Sequence, residues 1–287
     1  MARSVYDVAA MLGALVGVDP ADPATAASEG QTLADYTAVL DATALEGARI
    51  GVARQFMGGD AEVDWIVDAA LETMREGGAT IVDVTLPEWL IAVKGSWYTT
   101  IRWREFRQQI PDYLAALGPE YPKSLADLVD RSHDIVSRTD AGGTPNPVRW
   151  RLFEDEEASG STDDYEYRAM HEHGLALVRD LVNGVLADHE LDAIVYPTSP
   201  SRPARIDGEG PVSEVPSATN LANLTGFPDL IVPAGFTTDG LPVGISFLGP
   251  AFSEARLLGL GYAFESRAPA RRDPVTTPPL PGEVIPR

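Results

Sequence analysis

The chain has 287 residues, of which 44% are hydrophobic, and this is enough to bury the core of one large domain or two modest ones. Its formal net charge of −21 at pH 7 opposes binding to nucleic acid and to anionic membrane surfaces. There is no cysteine, which excludes disulfides, cysteine-based zinc sites and a thiol nucleophile. No apolar run approaches the roughly 18 residues that span a bilayer, and no signal peptide is visible, so we expect a cytoplasmic protein.

The N-terminal part of the chain is predicted to contain a βαβ unit. The predicted elements are, in order, a helix over residues 5–16, a loop over 20–30, a short helix or turn over 33–40, a strand over 49–53, an amphipathic helix over 63–76 and a strand over 79–86. The helix over 63–76 is supported by apolar residues at helical spacing: Val63, Ile66, Val67, Ala70, Leu71 and Met74. Strand, helix and strand within about 40 residues are typical of a parallel strand pair.

The middle of the chain is predicted to be helical. The predicted elements are a helix over 97–117 that is rich in aromatic residues, a helix over 125–136, a Gly/Pro loop over 141–147 and one long helix over 162–189. Thr162 is expected to cap the long helix, because acidic residues follow it in the first turn. The aromatic residues of the first helix either line a pocket entrance or pack in the core.

Short runs rich in Val, Ile and Phe dominate residues 191–249, and each run is bounded by Pro or Gly. They predict strands that are buried on both faces of a sheet, over 193–196, 230–232 and 243–248. A helix is expected over 217–226, where Ser provides a start and Gly a stop. A last helix is expected over 253–265, and the Pro-rich tail over 269–287 is expected to lie extended on the surface or to be disordered.

The same region carries a family resemblance. Its motifs are P-T-S-P at 197–200, N-L-T-G-F-P at 223–228, V-P-A-G at 232–235, and G-L-P-V-G-I-S-F-L-G-P at 240–250 followed by S-E-A-R-L-L. In this order they resemble the C-terminal half of amidase signature enzymes, and the last block is most similar to that of peptide amidases and related bacterial amidases. The resemblance implies an α/β fold with a mixed sheet flanked by helices on both faces, the second half of the amidase signature fold.

The beginning of the chain extends this resemblance. Met1-Ala2-Arg3-Ser4-Val5 is similar to a segment in the middle of amidase signature enzymes, just after their catalytic region. We therefore expect that the chain begins where the second half of such an enzyme begins, through a late start codon, a split gene or a truncation. On this interpretation residues 1–268 are the C-terminal half of a single amidase domain and 269–287 are a tail. Exposed apolar surface and self-association are then expected, because dividing such a sheet uncovers strand edges and faces.

The family's mechanism, as the resemblance implies it, uses a nucleophilic serine, a second serine joined through a cis peptide, and a lysine base. A serine hydroxyl needs an adjacent acceptor for its proton, and a buried lysine with a lowered pKa can provide one. The chain has two lysines, Lys94 and Lys123, and neither lies in a sequence that resembles the family's lysine motif. No Gly pair is followed by a Ser-rich run. We therefore expect no catalytic residue in this chain and no hydrolysis by the chain alone.

Other chemistries are not supported by the sequence. His171 and His173 are two positions apart on a predicted helix and point to different faces, so they are not expected to share a metal ion. A Ser-His-Asp set is disfavoured, because it would have to be assembled from Ser199, His189 and Asp192 without a Gly-x-Ser-x-Gly elbow. We therefore expect no metal and no cofactor.

Four polar residues are predicted to bind substrate: Thr198, Ser199, Thr219 and Asn223. Thr198 and Ser199 follow a predicted strand, and ligands of open α/β sheets sit at the carboxyl ends of strands. Asn220 and Asn223 lie on the segment that, by resemblance, packs beside the catalytic loop, and Thr219 adjoins it. The alternative is that these side chains only bond loop backbone and cap helices.

One position at which the chain differs from the amidotransferase members of the family bears on its substrate class. The amidotransferase members of the family, which release ammonia from glutamine, carry an acidic residue shortly before the Asn-Leu-x-Gly-x-Pro motif. Counting back from Asn223 places Pro216 at that position, which favours a hydrolytic amidase over a glutamine amidotransferase. The leading hypothesis is a serine amidase that hydrolyses the C–N bond of a carboxamide, such as a peptide amide, with this chain as its substrate-shaping half. The alternative is a non-catalytic binding or partner module that complements a separate N-terminal half.

Overall fold

The computed structural model describes residues 1–136, 147–205 and 213–272, which form two compact units. The described residues of the sheet unit fall within Met1–Leu86, Val182–Ala222 and Gly226–Arg287, and those of the helical unit fall within Pro87–Leu181 and Asn223–Thr225. Residues 273–287 of the expected tail and 141–146 of the expected loop lie outside the described ranges.

The sheet unit contains a mixed five-stranded sheet. Its strands are β1 (Arg49–Val52), β2 (Thr80–Asp83), β3 (Ala193–Pro197), β4 (Asp229–Phe236) and β5 (Pro242–Leu248). They are ordered β2-β1-β3-β5-β4, with β1 parallel to both β2 and β3, and β5 antiparallel to both β3 and β4. The mixed sheet and the parallel β1–β2 pair predicted from the sequence are therefore confirmed. Since β4 runs in the same direction as β1 and β3, the carboxyl ends of these three strands lie at one edge of the sheet.

Helices α2 (Ala61–Glu76) and α9 (Glu254–Arg267) pack on this sheet, and α1 (Val5–Leu15) packs on α9. The apolar stripe predicted for α2 is confirmed, because its six apolar residues are all buried: Val63, Ile66, Val67, Ala70, Leu71 and Met74. Asp60 begins α2, since its carboxylate accepts a hydrogen bond from the backbone N–H of Glu62 at 3.0 Å.

The core lies between one face of the sheet and the helices α2 and α9. It includes inward-facing residues of four strands: Ile50, Val52, Ala193, Val195, Val232, Val243, Ile245 and Phe247. Phe247 contacts Phe264 of α9 with ring centroids 6.2 Å apart. Burying each large side chain of this kind contributes about 1.5–3 kcal/mol, so the core fixes the strands whose ends carry the loops described below.

The helical unit consists of helices with connecting turns. They are α3 (Glu88–Ala115), α4 (Leu125–Val136), α5 (Pro147–Glu157), α6 (Tyr165–Arg168), a π-helical turn (Ala169–Gly174) and α7 (Leu175–Asp188), whose last residues belong to the sheet unit. The last three residues of the short helix α8 (Leu221–Thr225) also group with this unit. None of the described helices combines the length and the hydropathy that a membrane crossing requires.

The predicted long helix over 162–189 was wrong in its start and its continuity. It begins at Tyr165 with Asp164 at the N-cap, because a turn over 161–164 precedes it: the N–H of Asp164 donates to the Ser161 carbonyl at 3.2 Å. The π-helical turn then interrupts it near Gly174. A Cβ on Gly174 would lie 2.8 Å from the Trp97 ring, so this turn brings the helix backbone directly against α3.

Other sequence predictions need smaller corrections. The loop over 20–30 contains a 3₁₀ helix (Pro23–Ser28), and the helix expected from 217 begins at Leu221. The aromatic helix expected over 97–117 begins earlier, at Glu88, and α5 was not predicted at all. The strand over 79–86 ends at Asp83, because the side chain of Gln55 rather than a neighbouring strand accepts the N–H of Leu86.

Strand β4 is not buried on both faces, contrary to the prediction from its apolar run. It is the outermost strand, and its residue Ile231 is 55% exposed. Val232, the next residue, is 1% exposed because it points to the core. Alternation of this kind marks a strand with one face on the core and one face open.

Candidate functional site

The candidate site is the edge of the sheet at which β1, β3 and β4 end. Three segments follow these strands, over 53–60, 198–205 and 237–241. Parallel strands of open α/β sheets present ligand-binding loops at their carboxyl ends, because those loops lie on a rigid scaffold and remain accessible. This edge also holds two of the residues predicted to bind substrate, Thr198 and Ser199.

Arg202 ties the three segments together. Its guanidinium forms a bidentate pair with Asp60, with Nε to Oδ2 at 2.6 Å and Nη2 to Oδ1 at 3.0 Å. The same group reaches Asp239 at 3.3 Å and Glu62 at 3.4 Å. The hydrogen bond from Arg202 holds the pKa of Asp60 well below its usual range, so this pair stays ionised through the neutral range.

The loop after β3 lies against the backbone of Gly59. A Cβ on Gly59 would approach the Pro200 carbonyl oxygen to 2.6 Å and would also collide with the hydroxyl of Ser213. Only a glycine leaves room for the loop at this point. Gly59 and Arg202 therefore fix the path of the chain directly after Thr198 and Ser199.

A group of polar side chains crosses the sheet on the face opposite the core, from Thr198 after the end of β3 to Asp229, the first residue of β4. Tyr196 donates its hydroxyl proton to Asp229 Oδ2 over 2.7 Å, and the Oγ1 of Thr198 lies 3.0 Å from the Oγ of Ser246. We call these four residues the Thr198 network. The strand register explains it, because Tyr196 pairs with Ser246 across β3 and β5, and Asp229 is a diagonal neighbour of Ser246 on β4.

The Thr198 network is partly desolvated. Tyr196 is 2% exposed and its ring packs edge-on against Phe56, with centroids 5.6 Å apart. Burial raises the pKa of Tyr196 well above its usual value, and the neighbouring Asp229 charge adds to this effect. Asp229 is exposed as a residue of the edge strand β4, yet desolvation of its carboxyl group raises its pKa, against the lowering effect of the hydrogen bond from Tyr196.

The structure places the four predicted site residues in different surroundings. The backbone N–H of Thr198 donates to the Gly244 carbonyl at 3.0 Å, so Thr198 extends the ladder of β3. Ser199 is exposed and donates to the carbonyl of Ser201 at 2.8 Å. Thr219 is exposed, and its backbone N–H donates a hydrogen bond to the hydroxyl oxygen of Ser217 at 3.1 Å. Asn223 is exposed on α8 and groups with the helical unit. Thr198 is thus the predicted site residue that the structure builds into the sheet.

Tyr196, Ser246, Asp229 and Arg202 were not predicted as site residues. Ser246 and Asp229 carried a usable signal, because each is a polar residue within an otherwise apolar strand run. A buried polar side chain requires a partner, so two of them on neighbouring strands indicate a network. Arg202 lies in a polar loop, where nothing in its local sequence distinguishes it.

The structure does not bring together the residues of a Ser-His-Asp triad or of a metal site. Asp192 precedes β3 and is held by the backbone N–H of Arg49 and by Arg256, each at 2.9 Å, whereas Ser199 follows the same strand. The strand between them puts these two residues roughly 16 Å or more apart, so they do not form a triad. Among the described residues no group of three or more His, Asp or Glu side chains is placed to hold a metal ion.

Both lysines lie among residues of the helical unit, in positions that fit a structural role. Lys123 donates to the carbonyls of Leu114 and Leu117 at 3.0 and 2.8 Å, so it caps the end of α3. Lys94 is 5% exposed within the helical unit, and burial lowers its pKa. Both lysines belong to the helical unit, whereas Thr198 belongs to the sheet unit.

Comparison with known proteins places the chain in a family. The sequence model of the family described as Amidase matches residues 1–258. The A subunit of the glutamyl-tRNA(Gln) amidotransferase of Pseudomonas aeruginosa is 33% identical over 275 residues, which cover 92% of this chain and 53% of that relative. The corresponding protein of Desulfotalea psychrophila is also 33% identical over 279 residues, with the same coverage. This chain therefore spans about half the length of the curated relatives that it matches.

Solved structures agree with the sequence comparison. The native peptide amidase from Stenotrophomonas maltophilia superposes with a TM-score of 0.78 at 33% identity, over 95% of this chain and 53% of that one. An amidase family protein from Bacillus anthracis str. Ames gives a TM-score of 0.76 at 25% identity, over 95% of this chain and 48% of that one. Sequence and fold together show that the chain belongs to the amidase family.

Proposed function

We propose that this chain is the substrate-shaping half of an amidase that hydrolyses a carboxamide C–N bond, and that it does not hydrolyse amides by itself. The observation that carries the proposal is the family match over residues 1–258. It is combined with the expectation from the sequence that neither lysine and no Ser-rich run of this chain matches the catalytic motifs that the family resemblance implies. The surroundings of Lys123 and Lys94 support it, since the first caps a helix and the second is buried within the helical unit.

In the proposed reaction a serine of the catalytic half attacks the amide carbonyl carbon, the C–N bond breaks, and ammonia leaves with the transferred proton. Water then cleaves the acyl ester and regenerates the serine. Residues Thr198, Ser199, Thr219 and Asn223 of this chain would bind and orient the amide. Holding the reacting carbonyl close to the nucleophile is itself a large part of catalysis, so a half without a nucleophile can still decide which amide reacts.

Hydrolysis is favoured over ammonia transfer from glutamine. The position at which the family's amidotransferases carry an acidic residue is occupied by Pro216, which has no charge to bind an α-amino group. The identities to an amidotransferase and to a peptide amidase are both 33%, so they do not distinguish the two activities. We therefore propose a peptide amide or a similar carboxamide as the substrate.

Ammonia release tests this proposal. The purified chain is incubated with N-acetyl-L-phenylalanine amide, alone and after mixing with a separately produced N-terminal half of a peptide amidase. We expect no release by the chain alone and release by the mixture, with a loss when Thr198→Val replaces the wild-type chain. Hydrolysis by the chain alone that a point substitution within it abolishes would contradict the proposal.

A second candidate function is a non-catalytic partner module, which is favoured by the open face of the edge strand β4, where Ile231 is 55% exposed. An exposed edge strand with an apolar side chain favours pairing with another chain. Light scattering after size-exclusion chromatography would then show self-association that Ile231→Lys reduces. A monomer at all concentrations, with binding of the catalytic half unaffected by Ile231→Lys, would exclude this function.

A further inference from the structure

A cavity of about 870 Å³ lies beside the outer strand β4, and its lining includes none of the residues predicted to bind substrate. The lining comes from the sheet unit alone: the beginning of α1, Pro233 of β4, the end of α9 and the segment over 269–272. Ligand cavities commonly have roughly 300–1,000 Å³, so this one has room for a small molecule.

Three arginines line this cavity: Arg3, Arg271 and Arg272. The chain has 43 acidic residues against 22 lysines and arginines, so an arginine has many carboxylates to pair with, as Arg75 does with Glu72 at 3.0 Å. Within the described part of the chain, however, Arg3 forms no hydrogen bond or ion pair, and Arg272 contacts an aromatic ring instead of a carboxylate. These two guanidiniums therefore keep their hydrogen-bond donors for a ligand.

Arg272 is held by Phe236, the last residue of β4. Its Cζ atom lies over the Phe236 ring, 4.6 Å from the ring centroid. The ring face attracts the cation, and the guanidinium keeps its N–H donors for other partners. Those donors form a fork that matches the two oxygens of a carboxylate. Arg272 is thus oriented before a carboxylate binds, which reduces the entropy that binding costs.

The segment that carries Arg3 is attached at two points. The backbone N–H of Val5 donates to Oε2 of Glu265 on α9 at 3.0 Å, and the hydroxyl of Ser4 accepts the N–H of Asp7 at 3.1 Å. Val5 is also buried in the core of the sheet unit. Arg3 therefore lies next to backbone that is anchored to α9.

The charge of the lining favours a singly charged anion. Its charged side chains are the three arginines and the carboxylates of Asp7 and Glu265, so one positive charge is in excess. A carboxylate neutralises this excess, whereas a phosphate monoester, with a charge of about −1.5 to −2 at neutral pH, exceeds it. The rest of the lining includes apolar groups, which suit an apolar ligand body: Tyr6, Pro233, Pro269 and Ala270.

We infer that this cavity is a binding site for a small organic carboxylate. Arg3 and Arg272 bind the carboxylate, and the apolar groups of the lining contact the body of the ligand. The inference goes beyond the proposed function and does not depend on it, because the ligand is bound here without reaction and by other residues than those proposed to bind the amide.

Two ligands of closely similar shape test the inference on the full chain: N-acetyl-L-phenylalanine, which carries a carboxylate, and N-acetyl-L-phenylalanine amide, which is neutral. Each is titrated into isotopically labelled protein at about 0.15 M salt, where distant charges are screened. Binding is followed by NMR at the backbone amide signals of residues 3–7 and 265–272, so that an amide bound elsewhere does not contribute. We expect a Kd at least about tenfold lower for the carboxylate, because the neutral amide loses charge-assisted hydrogen bonds.

Two variants assign the binding to the arginines. Arg272→Gln and Arg3→Gln should each raise the Kd of the carboxylate about tenfold and leave that of the amide unchanged. Both arginines are exposed, so the variants should fold as the wild type does, which circular dichroism checks. Arg151→Gln is the matched control, because Arg151 is an exposed arginine of the helical unit and its loss changes the net charge equally.

Four outcomes decide the inference. Equal Kd values for the carboxylate and the amide would overturn it, and so would an Arg151→Gln effect as large as that of Arg272→Gln, since net charge alone would then explain binding. Inorganic phosphate that binds at these signals as tightly as N-acetyl-L-phenylalanine would overturn the choice of a carboxylate with an apolar body. An unchanged Kd in Thr198→Val would support a cavity separate from the proposed amide site, even if the test for ammonia release fails.

Discussion

Removing the hydroxyl of Tyr196 should destabilise the protein by about 1–2 kcal/mol at pH 7. In Tyr196→Phe the ring keeps its packing against Phe56, so the change isolates the 2.7 Å hydrogen bond to Asp229. Leaving a buried acceptor without its partner costs about 1–3 kcal/mol, and more when the acceptor is charged. We place the value in the lower part of that range, because Asp229 lies on an exposed edge strand, where water can replace the lost donor.

Urea unfolding followed by circular dichroism, combined with a double-mutant cycle, measures this hydrogen bond. In the Asp229→Asn background, Tyr196→Phe should lower the free energy of unfolding by about 1 kcal/mol less than it does in the wild type, because the acceptor is no longer charged. Tyr36→Phe is the control, since Tyr36 is also 2% exposed and its hydroxyl has no hydrogen-bond partner within the described residues. The reasoning would be refuted if Tyr196→Phe lowered the free energy of unfolding no more than Tyr36→Phe does, or by the same amount with and without Asp229→Asn.

The pH dependence of the same cycle has a definite sign. Desolvation raises the folded-state pKa of Asp229, so the folded protein binds this proton more tightly than the unfolded chain does. The resulting stabilisation is fully present below the unfolded pKa of about 3.9 and is lost as pH rises through the folded pKa. The stability of the wild type relative to Asp229→Asn should therefore fall with rising pH and then level off. The cost of Tyr196→Phe should be smaller at the acid end, where Asp229 is protonated.

Three further predictions concern the scaffold. Gly59→Ala should lower the free energy of unfolding by about 1–3 kcal/mol in thermal or urea unfolding, because its Cβ meets the Pro200 carbonyl, whereas Gly95→Ala, where no atom lies within 4 Å, should be neutral or slightly stabilising. Leu71→Ala should cost about 2–5 kcal/mol in urea unfolding, since Leu71 is fully buried beneath the sheet; a cost below about 1 kcal/mol would contradict the core described above. Arg202→Ala should increase proteolytic cleavage over 198–205, detected by mass spectrometry, while Arg75→Ala should not, because the Arg75 pair with Glu72 is confined to one exposed helix face. Equal cleavage of the two arginine variants would contradict the role of Arg202.

The fold was predictable from the sequence where one residue pattern fits one element. The stripe of α2 and the run of β5 are examples, because burial of apolar residues at a fixed period selects a helix or a strand. The predictions failed where a distant contact decides the local structure. The long helix is interrupted where Gly174 packs on Trp97, and the apolar run of β4 predicts burial on both faces although its outer position leaves Ile231 exposed.

The candidate site was predictable in its position but not in its connections. Thr198 could be found because it follows a strand, and the ends of strands carry binding loops. Its partner could not be found in this way, because Ser246 is 48 residues further along the chain and meets Thr198 only through the pairing of β3 with β5.

The family, the apolar core pattern of the sheet unit and the number of lysines follow from residue identity and order alone. The hydrogen bond between Tyr196 and Asp229, and the loops that Arg202 joins, became known from the folded chain. The physical reason is that a hydrogen bond depends on distances of about 3 Å between atoms, and the pairing of strands sets those distances.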